Sequence, residues 1–322
     1  MKILVTGGAG FIGSHVCEEL LAREDEVVCV DNFNDYYNPR IKERNIVDCL
    51  EKRNCRLCRG DILDFSLMRS VFEKENPRKI IHLAARAGIR PSINNPFLYE
   101  EVNIRGTLNL LELAKQYGID NFVFASSSSV YGNRTEGCFK ETDMVDKPIS
   151  PYAACKKAGE LFCYNYNHLY DLNCSCLRFF TVYGPRGRPD MAPFKFVDKI
   201  ARGEEIEIYG EGTSRRDYTY ISDIVGGVVA ALDKSHKYEL FNLGGANPVQ
   251  LNYFVSLIEN NLNKKVKIRY VEKQQGDVEM TFADVSKSRE MLGYEPKVSI
   301  EEGVRRLVEW YDLVYNFRRN PK

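Results

Sequence analysis

The chain has 322 residues, 44% hydrophobic and 28% charged, enough to bury a sizeable core in one large or two modest domains. Lys+Arg and Asp+Glu number 45 each, so the formal net charge is zero and the usual electrostatic case for a nucleic acid or membrane-surface partner is missing. No apolar run approaches the roughly 18 residues of a membrane span, and the chain enters a strand directly with KILVTG rather than a signal-peptide pattern, so a cytoplasmic protein is expected.

In chain order, short strands are predicted over 2–6, 26–30, 55–59, 79–82, 121–125 and 173–178. Several are apolar throughout, as in KILVT, EVVCV and NFVFA, the pattern of parallel strands covered on both faces. Helical patterns fall between them, over 11–22, 39–48, 64–74, 96–117 and 151–169. This alternation predicts an α/β fold of the Rossmann type, a doubly wound parallel sheet with right-handed crossovers. After about residue 179 the rhythm breaks into proline-rich loops, a helix near 193–202, short strands and a strand–helix–strand piece over 217–243. Helices near 250–262 and 299–315 follow. The division expected is a nucleotide-binding domain over 1–178, joined by a returning segment near 217–245, and a smaller C-terminal α/β lobe over 179–322 that holds the substrate. Ten cysteines are scattered; Cys55 and Cys58 form a lone CxxC with no second pair, so reduced buried thiols are expected and no metal.

The strongest local signal is KILVTGGAGFIGSHVCEELL, in which Gly7, Gly10 and Gly13 stand between a strand and an amphipathic helix. Glycine permits the tight turn and the close approach of backbone to a pyrophosphate, while the helix N-terminus offers free N–H groups to the phosphates. Asp31 follows at the end of the second strand, where an acid accepts bonds from the adenosine ribose and repels a 2′-phosphate, favouring NAD over NADP. The competing reading is a glycine turn in an ordinary parallel sheet. RGDILD sets Asp61 and Ile62 where they would flank adenine, and HLAARAG lays the small-residue loop Leu83, Ala84, Ala85 over the cofactor. Phe11, Ile12, Asn32 and Asn103 complete the expected cofactor set.

In SPYAACKKAGELF, Tyr152 and Lys156 lie four apart and share one helix face. A free phenol ionises near pH 10; a neighbouring ammonium and a cationic nicotinamide would both favour the phenolate, which could take a proton from a substrate hydroxyl as hydride leaves its carbon. FASSSSVYG ends the fifth strand with Ser126 to Ser129, and a hydroxyl there can orient the substrate oxygen. Alone, a Tyr-xxx-Lys pair could equally be a helix-surface pair. The stretch FFTVYGPRGRPDMA, closed by Pro193, carries Arg186 and Arg188 in backbone that cannot be a helix interior, which suggests a local anion site; a solvated turn whose arginines cap carbonyls is the alternative.

Together the glycine turn, Asp31, the serine-ended strand and Tyr152-xxx-Lys156 resemble the extended short-chain dehydrogenase/reductase superfamily, and its NAD-dependent epimerase/dehydratase branch, over nearly the whole chain, including RRDYTYISDIV and NLGG. The resemblance implies an NAD enzyme acting on a nucleotide sugar, with Ser127, Tyr152 and Lys156 as the catalytic set. The 4,6-dehydratases carry an Asp-Glu pair where this chain has Ser128 and Ser129, and UDP-glucuronate decarboxylases carry a glutamate at the position of Ser129. Without an added acid, the simplest outcome is return of hydride to the opposite face of the sugar, a 4-epimerisation. The 179–192 loop resembles that of UDP-glucuronate 4-epimerases, which implies Thr181 and Arg188 as holders of the sugar carboxylate. Arg216, with Arg215 beside it, falls on the diphosphate-gripping position, Asp277 on the uridine-ribose position, and Arg90, Ser128 and Ser129 near the sugar. Gln274 stands where some sugar epimerases have an arginine. Relatives pair the helices equivalent to 96–117 and 151–169 into a homodimer, with Tyr164 and Tyr166 compatible with an outer or a core position. The alternatives are a UDP-glucose/galactose 4-epimerase, a UDP-glucuronate decarboxylase, or a non-catalytic NAD-sensing module.

Overall fold

Seven parallel strands form the central sheet of the computed structural model, which describes residues 1–134, 137–272 and 278–315. The elements in chain order are β1 (Lys2–Thr6), α1 (Phe11–Ala22), β2 (Glu26–Asp31), α2 (Pro39–Leu50), β3 (Cys55–Arg59), α3 (Phe65–Glu75), β4 (Lys79–His82), α4 (Ile89–Asn94), α5 (Pro96–Glu100), α6 (Gly106–Gln116), β5 (Asn121–Ser127) and α7 (Pro151–Tyr170). There follow β6 (Cys174–Phe179), β7 (Thr181–Tyr183), α8 (Ala192–Arg202), β8 (Ile206–Tyr209), β9 (Arg215–Tyr220), α9 (Ile221–Asp233), β10 (Tyr238–Leu243), β11 (Pro248–Gln250), α10 (Leu251–Leu262), β12 (Ile268–Val271), α11 (Ser286–Leu292) and α12 (Ile300–Tyr315). The order across the sheet is β10-β6-β5-β4-β1-β2-β3. Sequence order reverses between β1 and β4, and in such sheets the crevice beyond the carboxyl ends at the reversal is where a ligand sits.

The doubly wound sheet predicted from the apolar strands is thus present, and the chain returns to it once, through β10 beside β6. Two small sheets, β11-β9-β7 and β12-β8, come from the segments after β6. Phe180 is the pivot: β6 ends at Phe179, the Phe180 N–H donates to the Leu243 carbonyl at 3.1 Å, and Thr181 then pairs with Tyr218 of β9. The predicted helix over 96–117 is interrupted by a π-turn at Glu101–Arg105. Apolar periodicity does not register one extra residue per turn, so the sequence pattern reads straight through it. Cys55 and Cys58 pack into different core clusters, because an odd spacing along β3 sends the two thiols to opposite faces of the sheet. They cannot chelate one ion together.

Beneath the carboxyl ends of β5 and β6 lies a polar knot with no exposed side-chain surface. Arg178 of β6 donates from Nε and Nη2 to the two oxygens of Glu160 on α7, both at 2.8 Å, and the Ser126 hydroxyl donates to Glu160 Oε1 at 2.6 Å. The Arg178 guanidinium also lies 4.8 Å from the centre of the Tyr131 ring, and the Tyr131 hydroxyl donates to Asn242 Oδ1 at 2.7 Å. The NLGG motif is therefore structural at its first residue, since the Asn242 amide also donates to the carbonyls of Phe139 and Asp284. Removing one partner of a buried pair leaves the other charge uncompensated. Glu160→Gln is expected to lower unfolding free energy by about 3 kcal/mol, read by urea denaturation, whereas removing the charge of exposed Arg305 should leave the midpoint nearly unchanged.

Candidate active site

A cavity of about 580 Å³ opens along the sheet's crevice, lined by the turn after β1, the ends of β2 and β3, the loop after β4, the serine end of β5, the start of α7 and the 181–191 segment. The turn after β1 is built for close approach. A side chain at Gly13 would place its Cβ 2.1 Å from the Gly7 carbonyl oxygen, so the first turn of α1 packs on the loop only without one. Gly7, Gly10, Phe11, Ile12 and Gly13 all line the cavity. Asp31 is buried with one oxygen accepting the Ala9 N–H at 3.2 Å and the other the Phe33 N–H at 2.8 Å. Burial pushes this carboxyl above its usual range, against those bonds and the Lys42 charge. A carboxylate has about four lone-pair positions, so both oxygens can still accept hydroxyls.

Asn32 donates to Asp61 Oδ2 at 2.7 Å, and both line the cavity with Ile62, Leu83, Ala84 and Ala85. Asn103 does not line it. The π-turn aims the Asn103 amide at the backbone of Arg86, whose N–H it accepts at 2.8 Å and whose carbonyl it donates to at 2.9 Å. Its side chain braces the loop after β4 from behind.

Tyr152 is the second residue of α7, after the N-cap Ser150, which accepts the Ala153 N–H at 3.2 Å, and after Pro151. Ser127 lies close enough to the Tyr152 phenol to favour its ionised form, and Ser127 Oγ accepts the Ser129 hydroxyl at 2.9 Å. Helix α7 lies close on β5 because Gly159 has no Cβ, which would meet the Phe124 ring at 2.3 Å. That approach brings Lys156 into the sheet: its Nζ donates to the Ala125 carbonyl at 2.7 Å and sits 5.9 Å from the centre of the Tyr152 ring. Burial lowers Lys156 to about 8. Burial also raises the Tyr152 phenol above its usual value, opposed by the Ser127 bond and then by the charge of Arg188. Arg188 is the cation whose charge opposes that rise, while the Lys156 ammonium donates to backbone and stays beside the Tyr152 ring.

Thr181, Arg188 and Arg216 line the same cavity, as do Ser128, Ser129 and Arg90. Arg90 stacks on Tyr209 of β8, 4.3 Å from the ring centre. Arg216 donates from Nη1 to the Arg215 carbonyl at 3.0 Å and the Glu279 carbonyl at 3.3 Å. Arg215 is exposed and outside the lining, as alternation along β9 requires of its neighbour. Asp277 and Gln274 lie outside the described residues. Arg186 faces away: it pairs with Glu18 of α1, while His15 of α1 hydrogen-bonds the Pro185 carbonyl at 3.0 Å. The 184–191 loop is therefore stapled to the helix that forms the glycine turn. Residues that sequence reasoning missed are Tyr36, Tyr99 and Asp190. Tyr36 and Tyr99 both donate to the Ala87 carbonyl, at 2.8 and 2.7 Å, and the Tyr99 ring meets Tyr152 edge-on at 6.3 Å. Asp190 pairs with Arg188. The available signals were two adjacent tyrosines in an Asn/Asp-rich loop and an acid two residues from the arginine already singled out.

A serine, a tyrosine and a lysine line the switch-point crevice of a seven-stranded doubly wound sheet, the architecture of the extended short-chain dehydrogenase/reductase superfamily. Residues 4–307 match the family described as GDP-mannose 4,6 dehydratase, and the chain belongs to that family. It is 46% identical to a UDP-glucuronate 4-epimerase of Thermodesulfobacterium geofontis over 95% of each chain, and 48% identical to an uncharacterized protein of Methanocaldococcus jannaschii over 96% of each. Its fold is similar to that of the Bacillus cereus UDP-glucuronic acid 4-epimerase solved with UDP-glucuronic acid and NAD, with TM-score 0.92, 35% identity and coverage of 98% and 100%. It is also similar to a UDP-glucose 4-epimerase of Thermotoga maritima solved with UDP-glucose, with TM-score 0.90, 34% identity and the same coverage. Among the described residues no helix is long and apolar enough to cross a membrane, and no cluster of His, Cys, Asp and Glu is arranged to hold a metal.

The lowered Lys156 pKa has a thermodynamic consequence. Between pH 8 and the ordinary lysine value of 10.5, the unfolded chain holds a proton that the folded one has released, so this group's contribution to stability rises with pH across that window. Below about 8 its buried charge is a net cost. Lys156→Met is expected to stabilise the ligand-free protein at pH 7 by roughly 2 kcal/mol, with the gap to wild type closing towards pH 10 in urea titrations.

Proposed function

We propose that this chain is an NAD-dependent 4-epimerase that interconverts UDP-glucuronate and UDP-galacturonate. The observation that carries the reading is the gathering, in one cavity, of Ser127, Tyr152, Thr181 and Arg188, in a chain 46% identical to a UDP-glucuronate 4-epimerase. The cradle fits a dinucleotide: Gly13 leaves room that a Cβ would fill, and buried Asp31 keeps lone pairs for ribose hydroxyls. Gly7, Gly10, Phe11, Ile12, Gly13, Asp31, Asn32, Asp61, Ile62 and the 83–85 loop would hold NAD, whose nicotinamide takes a hydride from sugar carbon 4 and gives it back. Residues 1–178 with the returning 217–245 segment form the nucleotide-binding domain on this reading, and most of 179–322 the sugar-nucleotide lobe.

Tyr152 takes the proton of the sugar 4-hydroxyl, with Ser127 sharing the hydrogen bond and Ser129 behind it. The burial that raises the phenol's pKa is opposed in part by Ser127 and then Arg188, and further positive charge at the nicotinamide would favour the phenolate. The Lys156 ammonium, fixed on the Ala125 carbonyl, holds the floor of the site. A 4-keto uronate is a β-keto acid, and it loses carbon dioxide when the C–C bond to the carboxylate aligns with the ketone π system. Thr181 and Arg188 hold that carboxylate out of alignment. Arg216 grips the diphosphate, leaving the sugar free to turn its other face. The serines at 128 and 129 supply no general acid for eliminating water, which separates the chain from the dehydratase chemistry in its family's description. The face of α7 that exposes Leu161 and Tyr164 supports a homodimer; Tyr166 has no part in it, being buried with its hydroxyl on Glu112.

The fold's likeness to a UDP-glucose 4-epimerase keeps a neutral-sugar reading in view. Incubation with each UDP-sugar, followed by proton NMR, separates the two: UDP-galacturonate from UDP-glucuronate is expected, with turnover of UDP-glucose at least tenfold lower, since a lost charge-assisted bond is worth about 1.5–3 kcal/mol. Turnover of UDP-glucose alone would overturn the substrate. Tyr152→Phe is expected to lose at least 100-fold in kcat with NAD affinity kept. Thr181→Ala and Arg188→Ala are expected to release UDP-4-keto-pentose and carbon dioxide; uniform loss of activity without such leakage would count against the clamp.

A further inference from the structure

One ion pair in the cavity joins a residue of the proposed carboxylate clamp to an acid outside that clamp. Arg188 donates from Nε to Asp190 Oδ1 at 3.0 Å and from Nη2 to Oδ2 at 2.5 Å, so the side edge of its fork is already filled by a carboxylate of the chain itself. The partners are unequally placed. The Arg188 side chain keeps 17% of its surface exposed and lies against the Tyr36 ring, 5.3 Å from its centre; Asp190 keeps 37%. A further bond to Asp190, from the Tyr36 hydroxyl, is long at 3.4 Å, because that hydroxyl's one proton is committed to the Ala87 carbonyl at 2.8 Å. Asp190 is thus strongly held by Arg188 and weakly by its other neighbour, and it borders solvent.

We infer that Asp190 is a resident counter-ion that occupies the Arg188 fork in the free protein and is exchanged for the carboxylate of the incoming sugar acid, which makes Asp190 a specificity-determining residue. The inference rests on the uronate reading above. A largely buried guanidinium needs an anion when no substrate is present. The planar fork that suits Asp190 suits any carboxylate in the same way. Adding a second carboxylate beside the first would set two anions against each other in a poorly screened site, so exchange is favoured over addition. Asp190 can regain water on leaving; Arg188, packed under Tyr36, stays. A neutral sugar brings a hydroxymethyl group, which cannot replace an ionised acid on the fork. The pair therefore stays closed to UDP-glucose and opens to UDP-glucuronate.

The test is binding, measured by calorimetry on the full chain with UDP, UDP-glucose and UDP-glucuronate, together with a crystal structure of the wild-type protein with UDP-glucuronate. In Asp190→Ser, affinity for UDP-glucuronate should rise on the order of tenfold, while UDP and UDP-glucose change by less than about twofold. Acetate should then weaken UDP-glucuronate binding in the variant and leave the wild type unaffected. The wild-type complex should show the Arg188–Asp190 contact broken, a readout that holds even if the variant does not fold. A folded variant, judged by unchanged UDP affinity, whose UDP-glucuronate affinity is unchanged or lower would overturn the exchange and leave Asp190 as a residue that merely positions the fork. A complex with the pair intact would overturn it too. Either result, in a protein that does epimerise UDP-glucuronate, leaves the substrate assignment standing; a protein that neither binds nor turns over UDP-glucuronate sinks both.

Discussion

The buried bond between Arg178 and Glu160 is the constraint on which the site is assembled. It joins β6 to α7 with no solvent on either side chain, and Ser126 of β5 adds a third element. Glu160 lies one helical turn after Lys156, and Ser126 immediately before Ser127. Holding the knot in register therefore sets the lysine, the tyrosine and the serine relative to one another before any ligand arrives. A buried ion pair is poor evidence of stability in itself, because desolvation offsets most of its attraction. Its worth here is geometric: two parallel 2.8 Å bonds restrict how far α7 can slide or roll along the sheet.

Charge in this chain is a local matter. The net is zero, yet the crevice brings together a lysine lowered by burial, a phenol raised by it, and a guanidinium whose side edge is occupied by Asp190. Each is buried away from the water that would otherwise solvate it. The lysine is the clearest case, since its ammonium is fixed on a backbone carbonyl beside the Tyr152 ring. A site assembled from such groups trades stability for readiness, and the polar knot below it supplies the rigidity that lets the trade persist.

The substrate loop shows how two parts of the chain are made to share one cavity. Arg186 and Arg188 are two residues apart and have opposite duties. With a positive φ of 62°, Arg186 turns to Glu18 on the helix of the glycine turn, whereas Arg188 turns inward to the phenol and Asp190. The staple to α1 fixes the loop against the nucleotide side, so that the arm reaching the sugar is referenced to the same helix that would hold the phosphates.

Much of this was legible in the residues. Apolar strands separated by helical spacing gave the parallel sheet, and the glycine turn, Asp31, Ser127, Tyr152 and Lys156 all reach the same crevice. These are local signals, carried by residues close together in the chain and dictated by backbone period or by the room a glycine leaves. What only the tertiary structure decided involves partners far apart or directions within one turn. The π-turn diverts Asn103 to the Arg86 backbone, burial takes Tyr166 from the surface, strand alternation removes Arg215 from the cavity, and Asp190 claims the fork that a substrate acid was expected to find open. Residue type states what a side chain can bind; which competitor reaches it first is a matter of three-dimensional distance, and spacing along a chain does not contain it.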